Sequence, residues 1–137
     1  MDVSEIYPVT VNVLALTRYG TLGSSSRLRM LQYIPVLTAA GFRVQTHAMF
    51  DDKTLSRRYE RGGYGLSTLV HCFLSRIACL RTRHHFDLVW IEKEALPWWP
   101  LWFEKRILTG VPYVLDFDDA VFHHYDQHRF KFIRTLF

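Results

Sequence analysis

The chain has 137 residues, of which 49% are hydrophobic and 22% are charged, and its formal net charge is +4 at pH 7. This length suffices for one domain with a hydrophobic core, and this composition excludes an intrinsically disordered chain. The apolar runs are far shorter than the roughly 20 residues of a membrane-spanning helix, and the acidic N-terminus lacks the basic segment of a signal peptide. We therefore expect one domain, residues 1–137, located in the cytoplasm.

The first half of the chain alternates between strand and helix patterns. β-branched residues predict a strand over 9–17, which is followed by a polar loop with two glycines. The serines at 24–26 are placed to cap a helix that ends at Gly41, and Pro35 should kink this helix. Alternating apolar and polar residues predict a second strand over 42–50.

The second half continues this alternation. Residues 51–63 form a polar connector, and apolar residues at helical spacing predict a helix over 64–83. Those apolar residues are Leu66, Leu69, Val70, Phe73, Leu74, Ile77 and Leu80. A third strand is predicted over 86–94, a short helix over 97–108 and a fourth strand over 112–117.

This order of elements predicts an α/β fold, a Rossmann-like open parallel sheet with helices on both faces. In such a sheet, ligands bind beyond the carboxyl ends of the strands. Glu92 and Glu94 stand at one of these predicted ends and are candidates to bind a ligand there. The last residues begin a basic amphipathic pattern without a terminating signal, so we expect the domain to be incomplete.

The loop after the first strand is a candidate phosphate or sugar site. Gly20 and Gly23 permit a tight turn, while Ser24 and Ser25 precede backbone amides at the start of the helix, close to Arg27. The spacing matches neither the dinucleotide-binding glycine motif nor a P-loop. The alternative is a capped helix that simply follows a turn.

The segment DFDDAVFHH after the fourth strand has several interpretations. Asp116 and Asp118 are spaced like a metal-binding carboxylate pair, and Asp118, Asp119 or His123 is suited to activate an acceptor hydroxyl. A zinc site would need the nearby histidines and Asp126, a pattern that is weak without a second cluster. The structural alternative is that these aspartates end the strand and cap the next turn. We expect no bound metal and favour the acceptor cleft.

Positive charge and large aromatic residues are concentrated in two further segments. Residues 53–83 hold seven Lys and Arg residues against one Glu, and Trp98, Trp99 and Trp102 lie close to Lys105. Solvated helix faces and core packing explain such clusters in many proteins, but together they also suit an anionic membrane surface. No nucleic-acid motif accompanies the basic charge, so we expect no nucleic-acid partner.

Three stretches together resemble a known family: GSSSRLRMLQYIPVLTAAGFRV, FDLVWIEKEALPWWP and GVPYVLDFDDAVFHHYD. They are similar to the N-terminal domain of GT-B glycosyltransferases of family 4, the glycosyl transferase group 1 proteins. The resemblance rests on the order and spacing of these stretches and extends over nearly the whole chain.

The resemblance implies a hexosyltransferase with two Rossmann-like domains, of which this chain would be the acceptor-binding one. The missing C-terminal domain would bind the nucleotide-sugar donor, so we expect the isolated chain to be inactive. By analogy, the loop from Gly20 to Ser25 would approach the donor diphosphate, and Asp118, Asp119 or His123 would lie near the acceptor hydroxyl. The acceptor would be a glycan or a lipid-linked sugar, which implies a peripheral position at the inner face of a membrane. The alternative is a non-catalytic membrane-docking or binding module with the same fold.

Overall fold

The computed structural model describes residues 10–118 and 129–132, and four strands within them form one sheet. The strands are β1 (Val11–Tyr19), β2 (Phe42–Phe50), β3 (Leu88–Glu92) and β4 (Tyr113–Asp116). They lie in the spatial order β2-β1-β3-β4, and every neighbouring pair is parallel. The predicted α/β class with an open parallel sheet is therefore confirmed.

Within residues 10–118, five α-helices flank this sheet on its two faces. They are α1 (Ser24–Arg29), α2 (Ile34–Ala39), α3 (Asp52–Arg61), α4 (Leu66–Arg81) and α5 (Leu101–Ile107). None of the helices in residues 10–118 or 129–132 has the length and apolar composition needed to cross a membrane. Leu14 and Leu16 of β1 point to the same face as Val89 and Ile91 of β3, because these residues pair in register. On that face they form the main core with residues of α4 and α5, whereas α2 lies against the opposite face.

The opposite face of the sheet contains an open apolar groove of about 220 Å³. The groove is lined by six apolar side chains from all four strands and α2: Val13, Leu37, Phe42, Leu88, Trp90 and Val114. Val114 lies on β4 at the end of the described strand order and is half exposed. The two faces of the sheet are thus covered to different extents by the described residues.

The predicted helix from the serines to Gly41 is two short helices. α1 ends at Arg29, a single 3-10 turn (Leu31–Tyr33) follows, and α2 begins at Ile34. Pro35 lies in the first turn of α2, where its missing N–H removes no hydrogen bond. Proline therefore marks the start of a new helix here, whereas the sequence predicted a kink.

The polar connector at 51–63 contains a helix, α3, that hydrophobic periodicity did not predict. The carboxylate of Asp51 caps its first turn by accepting a hydrogen bond from the Thr54 amide at 2.8 Å. Gly62, with φ of 75°, ends the helix in the left-handed conformation. Leu55 is the buried side chain of α3, and one apolar residue does not create a helical period.

The apolar residues that predicted α4 do not all face the core. Cys72, Arg76 and Leu80 define the buried side of the helix. Leu66, Val70 and Leu74, which follow one another at intervals of four residues, are instead exposed. α4 is therefore apolar on two sides, one against the sheet and one at the surface.

Candidate functional site

Charged side chains from three strand ends and α1 gather at the carboxyl edge of the sheet. The set comprises Arg18, Arg29, Glu92, Lys93, Glu94, Asp116 and Asp118, and most of its members are partly buried. The sheet is parallel and its strand ends meet at one edge, so residues up to 100 positions apart become neighbours there. This edge is the place where the sequence predicted a ligand cleft.

Glu92 ties the loop after β1 to the end of β3. Its carboxylate accepts hydrogen bonds from the hydroxyls of Ser25 at 2.7 Å and Ser26 at 2.6 Å, and from the amide of Arg18 at 2.9 Å. The residue is only 1% exposed. A buried carboxylate needs several donors to offset its lost hydration, and these three supply them. Both carboxylate oxygens of Glu92 accept internal hydrogen bonds in this arrangement. The predicted contact of Glu92 with an acceptor stays a prediction.

An ion-pair network joins α1 to the ends of β3 and β4. The guanidinium of Arg29 contacts Asp116 and lies 3.3 Å from a carboxylate oxygen of Asp118, whose other oxygen is 3.0 Å from Nζ of Lys93. The hydrogen bond from Lys93 holds the pKa of Asp118 below its usual value. Asp118 is therefore an ionised acceptor that two cations position at the cleft.

The segment after β3 has an unusual backbone beside this network. Lys93 and Trp98 have positive φ values of 63° and 66°, which are uncommon for residues with a side chain. Glu94 lies between them in sequence, and its carboxylate oxygen is 3.9 Å from Nη1 of Arg18. The Arg18 guanidinium is 5.7 Å from the centre of the Trp98 ring. Strained backbone of this kind is concentrated at functional sites, which supports a cleft at this edge.

The loop between β1 and α1 closes on a carboxylate of α3. Asp52 accepts hydrogen bonds from the Thr21 hydroxyl at 2.6 Å and from the Leu22 amide at 2.8 Å. The amides of Gly20 and Gly23 donate to backbone carbonyls. The hydroxyl and amide that could bind an anion thus already donate to the Asp52 carboxylate. The predicted approach of a donor diphosphate to this loop stays a prediction. Ser24 is exposed, and Arg27 donates to the carbonyl of Thr21.

Replacing Gly23 by Ala should destabilise the protein. A Cβ atom at Gly23 would lie 2.8 Å from Cγ of Tyr19 and nearer still to its Cβ, so the loop would have to shift. We expect the free energy of unfolding to fall by about 1–3 kcal/mol, as for other overpacked positions. Gly63→Ala is the matched control, because nothing lies within 4 Å of its Cβ position. Urea unfolding of both variants measures the difference, and equal stabilities would contradict the close approach at Gly23.

Several predicted site residues lie outside the described part of the chain. These are Asp119 and His123, together with the remaining members of the histidine cluster. Within residues 10–118 and 129–132, no three His, Cys, Asp or Glu side chains are grouped so that they could hold a metal ion. The expectation of a metal-free site stays a prediction, as does activation of an acceptor hydroxyl by Asp119 or His123.

The structure gives roles in the site to Ser26 and Lys93, which the sequence indicated only by their positions, and to Arg29 and Asp52, which it did not single out. Ser26, Arg29 and Lys93 organise the buried carboxylate and the ion-pair network, and Asp52 shapes the loop. Positive charge in the first helix was the one available signal for Arg29. The partners of these residues are distant in sequence, so no local pattern identifies them.

A buried arginine lies beneath this edge, on the α4 side of the sheet. Arg76 is 1% exposed and donates one hydrogen bond, to the carbonyl of Thr17. Its Nε and Nη1 atoms have no hydrogen-bond partner among the described residues. Burial lowers the pKa of Arg76 to about 10, while burial and the charge of Arg76 lower the pKa of His47 to about 4. Arg76 is thus a buried cation with incomplete hydrogen bonding, whose charge is attracted by the carboxylates of Glu92 and Glu104.

The chain was compared with family models, with curated proteins and with solved structures, and none of the three comparisons finds a match.

Proposed function

We propose that this chain is the acceptor-binding N-terminal domain of a GT-B glycosyltransferase. The observation that supports the proposal is the gathering of charged side chains at the carboxyl edge of an open parallel sheet, where folds of this class bind ligands. Hydroxyl-rich acceptors need several fixed donors and acceptors in one cleft. Lys93, Glu94, Arg18 and Asp118 offer both kinds at this edge, held by mutual ion pairs.

In this proposal, Asp118 binds and orients the acceptor hydroxyl. Its carboxylate is ionised, which suits it to accept a hydrogen bond from a hydroxyl, whereas its lowered pKa makes it a weak general base at neutral pH. Arg29 and Lys93 hold the carboxylate in place, and the hexose would come from a nucleotide sugar on a separate C-terminal domain. The acceptor would be a glycan or a lipid-linked sugar in the cytoplasm.

The test joins this chain to a donor-binding domain of the resembled family and measures hexose transfer. Asp118→Asn should lower turnover about a hundredfold or more with little change in stability, because the charged carboxylate that orients the acceptor hydroxyl is lost. Asp87→Asn is the matched control: Asp87 accepts hydrogen bonds from Asn12 at the amino end of the strands, away from the cleft. Unchanged turnover in Asp118→Asn, or an equal loss in both variants, would contradict the role of Asp118.

Removing metal ions with a chelator distinguishes a metal-binding carboxylate pair at Asp116 and Asp118 from a metal-free acceptor cleft. The negative charges of Asp116 and Asp118 are balanced by ion pairs with Arg29 and Lys93, which leaves the two carboxylates poorly suited to hold a divalent cation. Added EDTA should therefore leave transfer intact. Activity that disappears with chelator and returns with manganese would favour a metal site at this pair.

One observation favours a second candidate function, a binding module without catalysis. Glu92 accepts three internal hydrogen bonds and Asp52 accepts two, so each of these carboxylates has a structural role. The same fusion distinguishes the candidates: a folded fusion that binds the nucleotide sugar but never transfers the hexose would favour the binding module.

A further inference from the structure

A cluster of four aromatic rings and two arginines lies at the carboxyl edge of the sheet, on the side of α4. Its members come from the ends of β1 and β2, from α3, and from the segments that precede α4 and α5. We call these six residues the arginine–aromatic cluster: Arg18, Tyr19, Phe50, Arg58, Tyr64 and Trp98. The ion-pair network of Asp118 uses none of these side chains.

Ring contacts hold this cluster together. The rings of Phe50 and Tyr64 are stacked, with their centres 4.4 Å apart. The Phe50 ring also lies 6.1 Å from the ring of Tyr19 and 6.3 Å from that of Trp98. Phe50 is 1% exposed, so it anchors the other rings to the core. Trp98 is 49% exposed, so about half of its surface is open to solvent at this edge.

Each arginine of the cluster lies over one of its rings. The Arg58 guanidinium is 5.0 Å from the centre of the Tyr64 ring, and the Arg18 guanidinium is 5.7 Å from that of the Trp98 ring. Burial raises the pKa of Tyr64 above its usual value, while the charges of Arg58 and Arg18 oppose this rise. Both guanidinium groups therefore lie near the same phenol.

Carboxylates balance the positive charge of the cluster only in part. Arg18 pairs with Glu94 at 3.9 Å, a distance that is too long for a hydrogen bond. Arg58 is exposed and forms no ion pair with a carboxylate in the part of the chain that the structure describes. Of the basic residues in 53–83, Arg76 is buried, so this region does not present all of its charge at the surface.

We propose that the arginine–aromatic cluster binds a negatively charged sugar, whose ring packs on Trp98 and whose carboxylate or phosphate is held by Arg18 and Arg58. The C–H groups on one face of a sugar ring are attracted to the negative face of an aromatic ring. Guanidinium groups form paired, charge-assisted hydrogen bonds with carboxylates and phosphates. The cluster supplies both kinds of contact within one connected set of rings and arginines.

Two consecutive residues join this cluster to the proposed acceptor position. Glu94 pairs with Arg18, and Nζ of its neighbour Lys93 lies 3.0 Å from Asp118. The inference deepens the proposed function and rests on it only in one respect, namely that the charged sugar would be part of the acceptor. Binding to this chain needs no donor domain, so its failure and a failure of hexose transfer are distinguishable.

NMR titration of the full chain with four small probes tests the proposal. The probes are methyl β-glucuronide, glucose 6-phosphate, the neutral methyl β-glucoside and inorganic phosphate. We expect at least one charged sugar to bind about tenfold or more tightly than both the glucoside and phosphate, because it alone contacts the ring and the arginines together. The indole N–H signal of Trp98 should shift on binding. The tighter of the two charged sugars identifies the anion as a carboxylate or a phosphate.

Variants of the two kinds of contact have matched controls. Arg58→Gln should bind the charged sugar about tenfold more weakly, whereas Arg57→Gln, at the neighbouring exposed position of α3, should bind it normally. Trp98→Ala should also weaken this binding about tenfold, whereas Trp102→Ala, at an exposed tryptophan of α5, should not. Circular dichroism identifies any variant that fails to fold, and Trp98→Leu then replaces Trp98→Ala.

Three results would overturn the proposal. The first is equal binding of the charged and neutral sugars, or binding of none of the probes. The second is inorganic phosphate that binds as tightly as the charged sugars and is unaffected by Trp98→Ala, since the arginines would then form a simple anion site. The third is a loss of binding in Arg57→Gln equal to that in Arg58→Gln.

Discussion

Replacing Glu92 by Ala is expected to destabilise the protein by about 3 kcal/mol or more, because three donors lose a charged acceptor. The hydroxyls of Ser25 and Ser26 and the amide of Arg18 all donate to this one carboxylate in a buried place. Water could replace the lost carboxylate oxygens only by entering this buried position. Urea unfolding followed by circular dichroism measures the loss, and hydrogen exchange at the Arg18 amide should accelerate in parallel.

Glu94→Ala is the matched control for Glu92→Ala. Glu94 stands two residues further along the same segment, and its ion pair with Arg18 spans 3.9 Å at a partly exposed position. Such pairs contribute little, so the free energy of unfolding should change by less than about 1 kcal/mol. Similar losses in the two variants would show that Glu92 contributes no more than an ordinary surface carboxylate.

Replacing Arg76 by Met should destabilise the protein by about 3 kcal/mol, because the buried carboxylates of Glu92 and Glu104 lose the cation that attracts them. Nε and Nη1 of Arg76 have no partner among the described residues, and the one bond that is lost goes to the Thr17 carbonyl. The same change should raise the pKa of His47 above its present value of about 4, since the Arg76 charge is one cause of that low value.

Urea unfolding and NMR titration of His47 measure the two effects of Arg76→Met separately. Arg57→Met is the control, because Arg57 is exposed on α3 and its replacement should change stability by less than about 0.5 kcal/mol. A gain of stability in Arg76→Met would mean that the cost of burying Nε and Nη1 without hydrogen bonds outweighs the attraction of the charge to Glu92 and Glu104. An unchanged pKa of His47 would contradict the proximity of the two charges.

The sheet could be predicted from the sequence because its signals are local. β-branched and alternating residues indicated all four strands to within a few residues, and the helices between them implied parallel pairing. The helix α3 was missed because its stability comes from the Asp51 cap and one buried residue, Leu55. The exposure of Leu66 and Leu74 was not predictable, because the same apolar spacing fits a buried and a surface side of α4.

The location of the site was predictable, but its chemistry was only partly so. Strand ends in a parallel sheet meet by topology, so Glu92, Glu94 and Asp118 were placed at one edge from their positions alone. The hydrogen bonds and ion pairs of each carboxylate depend on distant partners. Ser25 donates a hydrogen bond to Glu92, and Arg29 forms an ion pair with Asp118. Contacts between such separated residues leave no periodic signal in a single sequence.

The bonds to Glu92 also constrain the order in which the protein acquires its structure during synthesis. Ser25, Ser26 and Arg18 precede their acceptor by 67, 66 and 74 positions, so their shared carboxylate emerges from the ribosome long after them. Closing such a long loop carries an entropic cost that β1–β3 pairing must offset first. We expect β1, α1 and β2 to associate early, while the loop at the carboxyl edge stays open until β3 docks. Nascent chains stalled before residue 92 should therefore leave the Arg18 amide unprotected.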